Sequence, residues 1–128
     1  MTQNQETGNL GERLARDYLV SKGYRIIERN FRRPWGELDI VTTASDKTLV
    51  FVEVKTLENK LEELSSLNRI QPEENLTQAK LRKLQRTASL YANSHSKLIN
   101  DNRGWRIDLV AIDIFADGKF DLRHYENI

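Results

Sequence analysis

Cysteine is missing from the 128 residues of this chain, which excludes a disulfide framework and any thiolate metal site. Long apolar runs are missing too. None approaches the roughly 20 residues a membrane-spanning helix requires, and the opening MTQNQETGNL lacks the apolar core of a secretory signal. These absences set the expectation of a soluble, cytoplasmic protein without a membrane partner. An excess of one charge is also lacking. A formal net charge of +1 does not suit a strong non-specific nucleic-acid binder, so any contact with phosphates has to come from local clusters. There are no internal repeats and no low-complexity tract. What is left is a length that suits one domain, residues 1–128, built on a single core.

Residues 36–55, GELDIVTTASDKTLVFVEVK, organise the rest. They read as two strands: a short alternating one over residues 36–42 and a dense apolar one over residues 49–55. Ser45, Asp46 and Lys47 supply the turn between them. In the second strand Val50, Val52 and Val54 point to one face, while Phe51, Glu53 and Lys55 point to the other. Both faces are mostly apolar, so the strand belongs near the middle of a sheet covered on both sides. Its far end then carries a carboxylate and an ammonium on one face, with Asp39 one hairpin away between Leu38 and Ile40. Two acids and a lysine on adjacent rigid strands can hold a divalent metal ion and a water against a phosphate. A Glu-x-Lys triplet by itself says little, because ordinary composition produces it by chance. The bland alternative is an ion pair on a strand face, worth about 0–1 kcal/mol if exposed. Its place at the end of a buried strand is what makes it informative.

Ahead of this hairpin, a helix is expected from Asn9, a good N-cap, to Lys22-Gly23. Leu10, Leu14, Ala15, Tyr18 and Leu19 form its apolar face. At about 100° per residue Glu12 falls on the border of that face, beside Leu19, Ala15 and Gly8. Small neighbours would let another backbone or a ligand approach its carboxylate; the alternative is a solvated acid favoured by the helix dipole. Residues 24–31 read as the first strand, running into the basic stretch Arg29-Asn30-Phe31-Arg32-Arg33 and the turn Pro34-Trp35-Gly36. Arg32 and Arg33 lead straight into the Asp39 strand and are candidates for contacting a nucleic-acid backbone, as against a solvated charged face.

Beyond Lys55, residues 57–75 read as a flexible or partly helical insertion, with Leu57, Leu61 and Leu64 at helical spacing. A second helix is expected over residues 77–92, with Leu81, Leu84, Ala88, Tyr91 and Ala92 in its core face. Lys80 lies at the border of that face and Lys83 faces outward; a solvated basic face is the default reading, and the same disposition suits a phosphate backbone lying across the helix. Residues 93–104 read as loop and His95 as surface. Residues 105–115 form a strand, Asp117-Gly118 a hairpin turn, and residues 120–125 the returning strand. Arg106 and Asp108 share a strand face and are expected to form a structural pair; His124 is read as packing or surface.

Four blocks, GERLARDYLVSKGY, ERNFRRPWGELDIV, LVFVEVK and WRIDLVAI, resemble in order an uncharacterised bacterial family of predicted endonucleases (YraN-like). That family is distantly similar to archaeal Holliday-junction resolvases and belongs to the PD-(D/E)xK restriction-endonuclease-like superfamily. The resemblance covers nearly the whole chain outside the N-terminal tail and residues 57–75. It implies an α/β fold with a restriction-endonuclease-like core: a mixed central sheet flanked by helices in the order αβββαβ, here with a C-terminal hairpin strand added. It also matches Asp39, Glu53 and Lys55 to the nuclease signature, and Glu12 to an extra helix carboxylate of resolvase-like members. Glu37 is a further motif position. Family members often carry a basic residue soon after the signature lysine; here Thr56-Leu57 follows, leaving the catalytic set complete.

The function this implies is metal-dependent hydrolysis of a phosphodiester, with DNA that is branched or otherwise structured as substrate. Asp39 and Glu53 would hold Mg²⁺ or Mn²⁺, with Glu12 available to a second ion, and Lys55 would orient the attacking water. Arg32, Arg33, Lys80 and Lys83 would position the strand. Cutting a junction needs two sites at fixed separation and therefore a homodimer, but no stretch of the sequence identifies an interface. Two alternatives from other classes stand beside this one: a catalytically silent nucleic-acid-binding module, and a protein-interaction domain that keeps the fold.

Overall fold

The alternating apolar pattern of residues 49–55 does place its strand at the centre. The computed structural model describes residues 3–59 and 71–128. In chain order it contains helix α1 (Gln3–Ser21), strands β1 (Arg25–Arg33), β2 (Gly36–Thr43) and β3 (Leu49–Asn59), helix α2 (Gln78–Ser94), and strands β4 (Trp105–Phe115) and β5 (Phe120–Tyr125). Short 3₁₀ turns lie at Pro72–Asn75 and Ser96–Leu98. The strands form one mixed sheet in the order β1-β2-β3-β4-β5, parallel only between β3 and β4. A parallel pair needs a long crossover, and α2 lies within it.

Side-chain alternation in β3 supplies two cores. Val50 and Val52 meet Ala15 and Leu19 of α1, together with Ile40, Val110 and Ile112. Leu49 and Phe51 meet Leu84, Ala88 and Tyr91 of α2, together with Leu38, Val41 and Ile107. The result is the expected α/β architecture, a mixed sheet with a helix on each face and a C-terminal hairpin strand.

Several boundaries differ from the sequence reading. Helix α1 begins six residues before Asn9, because the Gln- and Glu-containing segment ahead of it favours helix and Thr7 Oγ1 donates to Glu58 Oε2 (2.8 Å) at the end of β3. Its C-terminus is as expected: Gly23 takes φ 90°, and the N–H groups of Gly23 and Tyr24 return to the carbonyls of Val20 and Leu19. Strand β1 takes in the basic stretch up to Arg33, and β3 continues four residues beyond Lys55 along β4. Of residues 57–75, the first three therefore belong to β3 and Pro72–Asn75 to a 3₁₀ turn, while residues 60–70 lie outside the described residues. His95, read as surface, stacks on Tyr91 at a 3.9 Å centroid distance.

Two glycines set how closely the helices approach the sheet. A Cβ on Gly11 would collide with the Thr56 side chain of β3, and one on Gly36 with the Thr87 side chain of α2. Both threonines are β-branched and stiff, so they cannot swing aside. Gly11→Ala and Gly36→Ala are each expected to lower stability by roughly 1–3 kcal/mol, the range for overpacking. Gly8 is also in α1 but a Cβ there meets nothing within 4 Å; Gly8→Ala is expected to stabilise by about 0.5–1 kcal/mol. Urea unfolding of the three variants checks the contrast.

Candidate metal and nucleic-acid site

Strands β2 and β3 part company at Asp39. Their backbone pairing extends from Thr43↔Leu49 only to Ile40↔Val52. Beyond that point Asp39 Oδ2 accepts the N–H of Val54 at 2.8 Å, a side-chain oxygen in place of a ladder carbonyl. The strand's alternation breaks at the same residue, since Leu38 joins the core under α2 while Ile40 joins the core under α1. Opposite Asp39, between the pairs Arg29↔Ile40 and Phe31↔Leu38, Asn30 takes a left-handed φ of 53°, a conformation Asn tolerates better than most residues. Asp39 is thereby held near the plane of the sheet, in the opening between two strands.

That position lets Asp39 serve two adjoining lobes. The larger, of about 1150 Å³, is lined by Glu12, Asn30, Arg32, Asp39, Lys55 and Lys80 among others. The smaller, of about 370 Å³, includes Arg33, Glu37, Asp39, Glu53, Lys55, Lys80 and Lys83 in its lining. Asp39, Lys55 and Lys80 belong to both. Glu53 and Lys55 reach the α2 side by strand alternation, as the sequence pattern implies. Glu12 arrives from α1 on the other side, brought in by the close contact of Gly11 with Thr56. Its Oε1 is buried and has no hydrogen-bond partner among the described residues. Lys83, expected to face outward, borders the smaller lobe.

Electrostatics single out one pair. Glu53 is pushed up to about 9, first by burial, then by a hydrogen bond shared with Asp39 and by the Asp39 charge; Lys55 opposes this and Glu37 adds to it. Two carboxyl groups this close do not both ionise near neutral pH unless a cation joins them. Hard oxygen donors of this kind fit Mg²⁺ or Mn²⁺, and the unpartnered Glu12 oxygen is a further donor in the adjoining lobe.

A second acidic group lies on the opposite flank. Among the described residues, Asp108, His124 and Glu126 bring one ligand atom each within 4.8 Å of one another, close enough to hold a metal ion; Glu12, Asp39 and Glu53 do not form such a trio. The sequence reading missed this cluster because its members are distant in the chain. Val110 pairs with His124 across β4 and β5, which brings Asp108 and His124 together. Protein groups already satisfy it, however. Arg106 Nε bonds Asp108 Oδ1 at 2.9 Å, the structural pair expected, and the same guanidinium lies 3.6 Å from Glu126. His124 engages Asp108 at 2.8 Å through Nε2 and the Tyr18 hydroxyl at 2.9 Å through Nδ1.

The sequence model of the family described as "Uncharacterised protein family UPF0102" matches residues 11–112. This chain belongs to the UPF0102 family. The matched span takes in Glu12, Asp39, Glu53 and Lys55 and ends before His124 and Glu126. A UPF0102 protein of Syntrophomonas wolfei is 40% identical over 124 residues, covering 97% of each chain. Another, from Fervidobacterium nodosum, is 33% identical over 125 residues, covering 98% of this chain and 83% of its own. A UPF0102 protein of Syntrophus aciditrophicus is 37% identical over 118 residues, covering 92% and 84% respectively. No helix among the described residues of this UPF0102 protein is long and apolar enough to cross a membrane.

The raised Glu53 gives the metal-free protein a pH signature. Between the ordinary value of 4.5 and about 9, folded Glu53 keeps a proton that the unfolded chain has released. Stability therefore falls as pH rises through that interval, by at most roughly 1.4 kcal/mol per pH unit for one proton. Thermal melting in EDTA is expected to show this decline in the parent protein, with a markedly shallower one in Glu53→Gln.

Proposed function

We propose that this protein is a metal-dependent DNA endonuclease that hydrolyses phosphodiester bonds in branched or otherwise structured DNA. The observation that carries the reading is the half-buried Asp39–Glu53 carboxyl pair, joined by a hydrogen bond, with Lys55 on the same strand face as Glu53. A fold that only needed structural ion pairs would match each acid to a cation, and here Lys55 acts on Glu53 against two acids, Asp39 and Glu37.

Asp39 and Glu53 are the residues that would hold Mg²⁺ or Mn²⁺, with Glu12 placed to add an oxygen from the α1 side. Once bound there, the ion supplies Lewis-acid polarisation of a phosphoryl oxygen and a lowered water pKa. Lys55 orients the attacking water and offsets negative charge that grows on the phosphate as the bond to the leaving oxygen breaks. Arg32, Arg33, Lys80 and Lys83 rim the lobes and grip the backbone on either side, providing affinity but no base reading. The nearly neutral net charge confines that grip to the cleft.

Purified protein is to be tried on branched, single-stranded and duplex DNA, and on RNA, with Mg²⁺ and with Mn²⁺. Glu53→Ala is expected to abolish cleavage and metal binding at little cost in stability, since it removes a carboxyl group whose place beside Asp39 is itself unfavourable. Lys55→Ala is expected to keep metal binding and slow the chemical step by roughly 10²–10⁴-fold. DNA affinity should survive both changes. If no substrate is cut and both alanine variants melt well below the parent, the acids are structural and the proposal fails.

A further inference from the structure

The hairpin between β1 and β2 ends in an aromatic side chain that the fold holds out toward solvent. Arg33 and Gly36 are the last paired residues, so Pro34 and Trp35 alone make the turn. Trp35 is 49% exposed, whereas Gly36 beside it is buried. The tip is mounted rigidly. Proline fixes one of its backbone angles, and Gly36 sits too close to Thr87 of α2 for even a methyl group between them. Thr87 is 1% exposed and donates to the Lys83 carbonyl at 3.0 Å. Phe31, also in the hairpin, packs edge-to-face on Tyr91 of α2 with centroids 5.1 Å apart.

An exposed indole on a stiff mount gains contact area without losing much conformational freedom when something stacks on it. Its position says what that something is. Arg33, Pro34 and Gly36 line the lobe that contains Asp39, Glu53 and Lys55, so Trp35 stands on the lip of the candidate catalytic cleft. Chain entering that lobe as a phosphate backbone carries bases beside the lip. Within an intact duplex the base faces are covered by their neighbours, and an indole has nothing to stack on. An unpaired base offers a free face.

We propose that Trp35 stacks on an unpaired base of the DNA strand whose phosphate enters the cleft, which makes DNA with a single-stranded segment adjoining a duplex the preferred substrate. This rests on the nuclease reading for the identity of the cleft, but the stacking is measurable without cleavage.

The chain has two tryptophans, and Trp105 packs edge-to-face on Phe51 at 5.5 Å. Trp105→Phe therefore leaves Trp35 as the single indole reporter. With Ca²⁺ in place of Mg²⁺ to keep strands intact, single-stranded and forked DNA are expected to quench Trp35 fluorescence. A perfectly paired duplex of the same sequence is expected to leave it unchanged. A single-stranded abasic oligonucleotide, which keeps the phosphates and loses the bases, is expected to bind without quenching. Trp35→Ala should weaken binding of forked DNA roughly tenfold, as for one lost base–aromatic stack, and Trp35→Phe should restore most of it. Duplex affinity should change in neither. DNA that binds and is cut while Trp35 stays silent overturns the stacking and leaves the nuclease reading standing. Quenching without cleavage by any metal has the opposite effect: it supports the stacking and removes the nuclease. Equal quenching by paired duplex, or quenching by RNA alone, overturns the proposal.

Discussion

Burying a carboxyl group beside another is unfavourable unless a cation or a proton comes with it, and this molecule deals with its buried acids in two ways. Asp108 and Asp113 are fully buried, and each has an arginine: Arg106 at 2.9 Å and Arg123 at 3.0 Å. Burial would push Asp108 up, but hydrogen bonds from His124 and Arg106 hold it below the usual carboxylate range. Among the described residues no guanidinium is bonded to Asp39 or Glu53, and burial first, then the neighbouring Asp39, pushes Glu53 far upward against the opposing charge of Lys55. One set of acids is neutralised by the protein itself. The other is not, and on the proposed function that difference separates a structural network from a metal site.

Most of the fold can be seen as the means of holding that pair in place. β3 carries Glu53 and Lys55 out of a core packed on both faces, so neither residue has freedom to retreat. The strand opening at Asp39 replaces backbone pairing with a side-chain hydrogen bond to Val54. It turns Asp39 toward both lobes at once. Gly11 then brings α1 down onto Thr56, and Gly36 brings the basic hairpin down onto α2. The acids end up on rigid strands, while the basic residues that would grip a backbone sit on the hairpin and α2 around them.

Much of this was legible in the sequence because it depends on local period. The alternation of β3 identifies its central place, its two cores and the shared face of Glu53 and Lys55 without knowledge of the fold. The αβββαβ order and the C-terminal hairpin follow from turn residues such as Gly23 and Asp117-Gly118. What escaped is tertiary. A period-2 reading of β2 places Leu38 and Ile40 on one face, and only the left-handed Asn30 and the Asp39–Val54 hydrogen bond show why they separate. Helical spacing put Glu12 at the border of its face but could not show that Gly11 draws it against Thr56. The Asp108–His124 contact depends on the register of β5 against β4. Trp35 read as one letter of a turn, because exposure at a hairpin tip is not written in any periodicity.

On the proposed function the Asp39–Glu53 pair is incomplete without a metal ion. Crystals grown without divalent ions and soaked in Mn²⁺ test it most directly, through anomalous scattering at the manganese edge. A peak is expected between the carboxylates of Asp39 and Glu53, with none in a Glu53→Gln crystal soaked alongside. No peak there at saturating Mn²⁺, or a peak only among Asp108, His124 and Glu126, would contradict it.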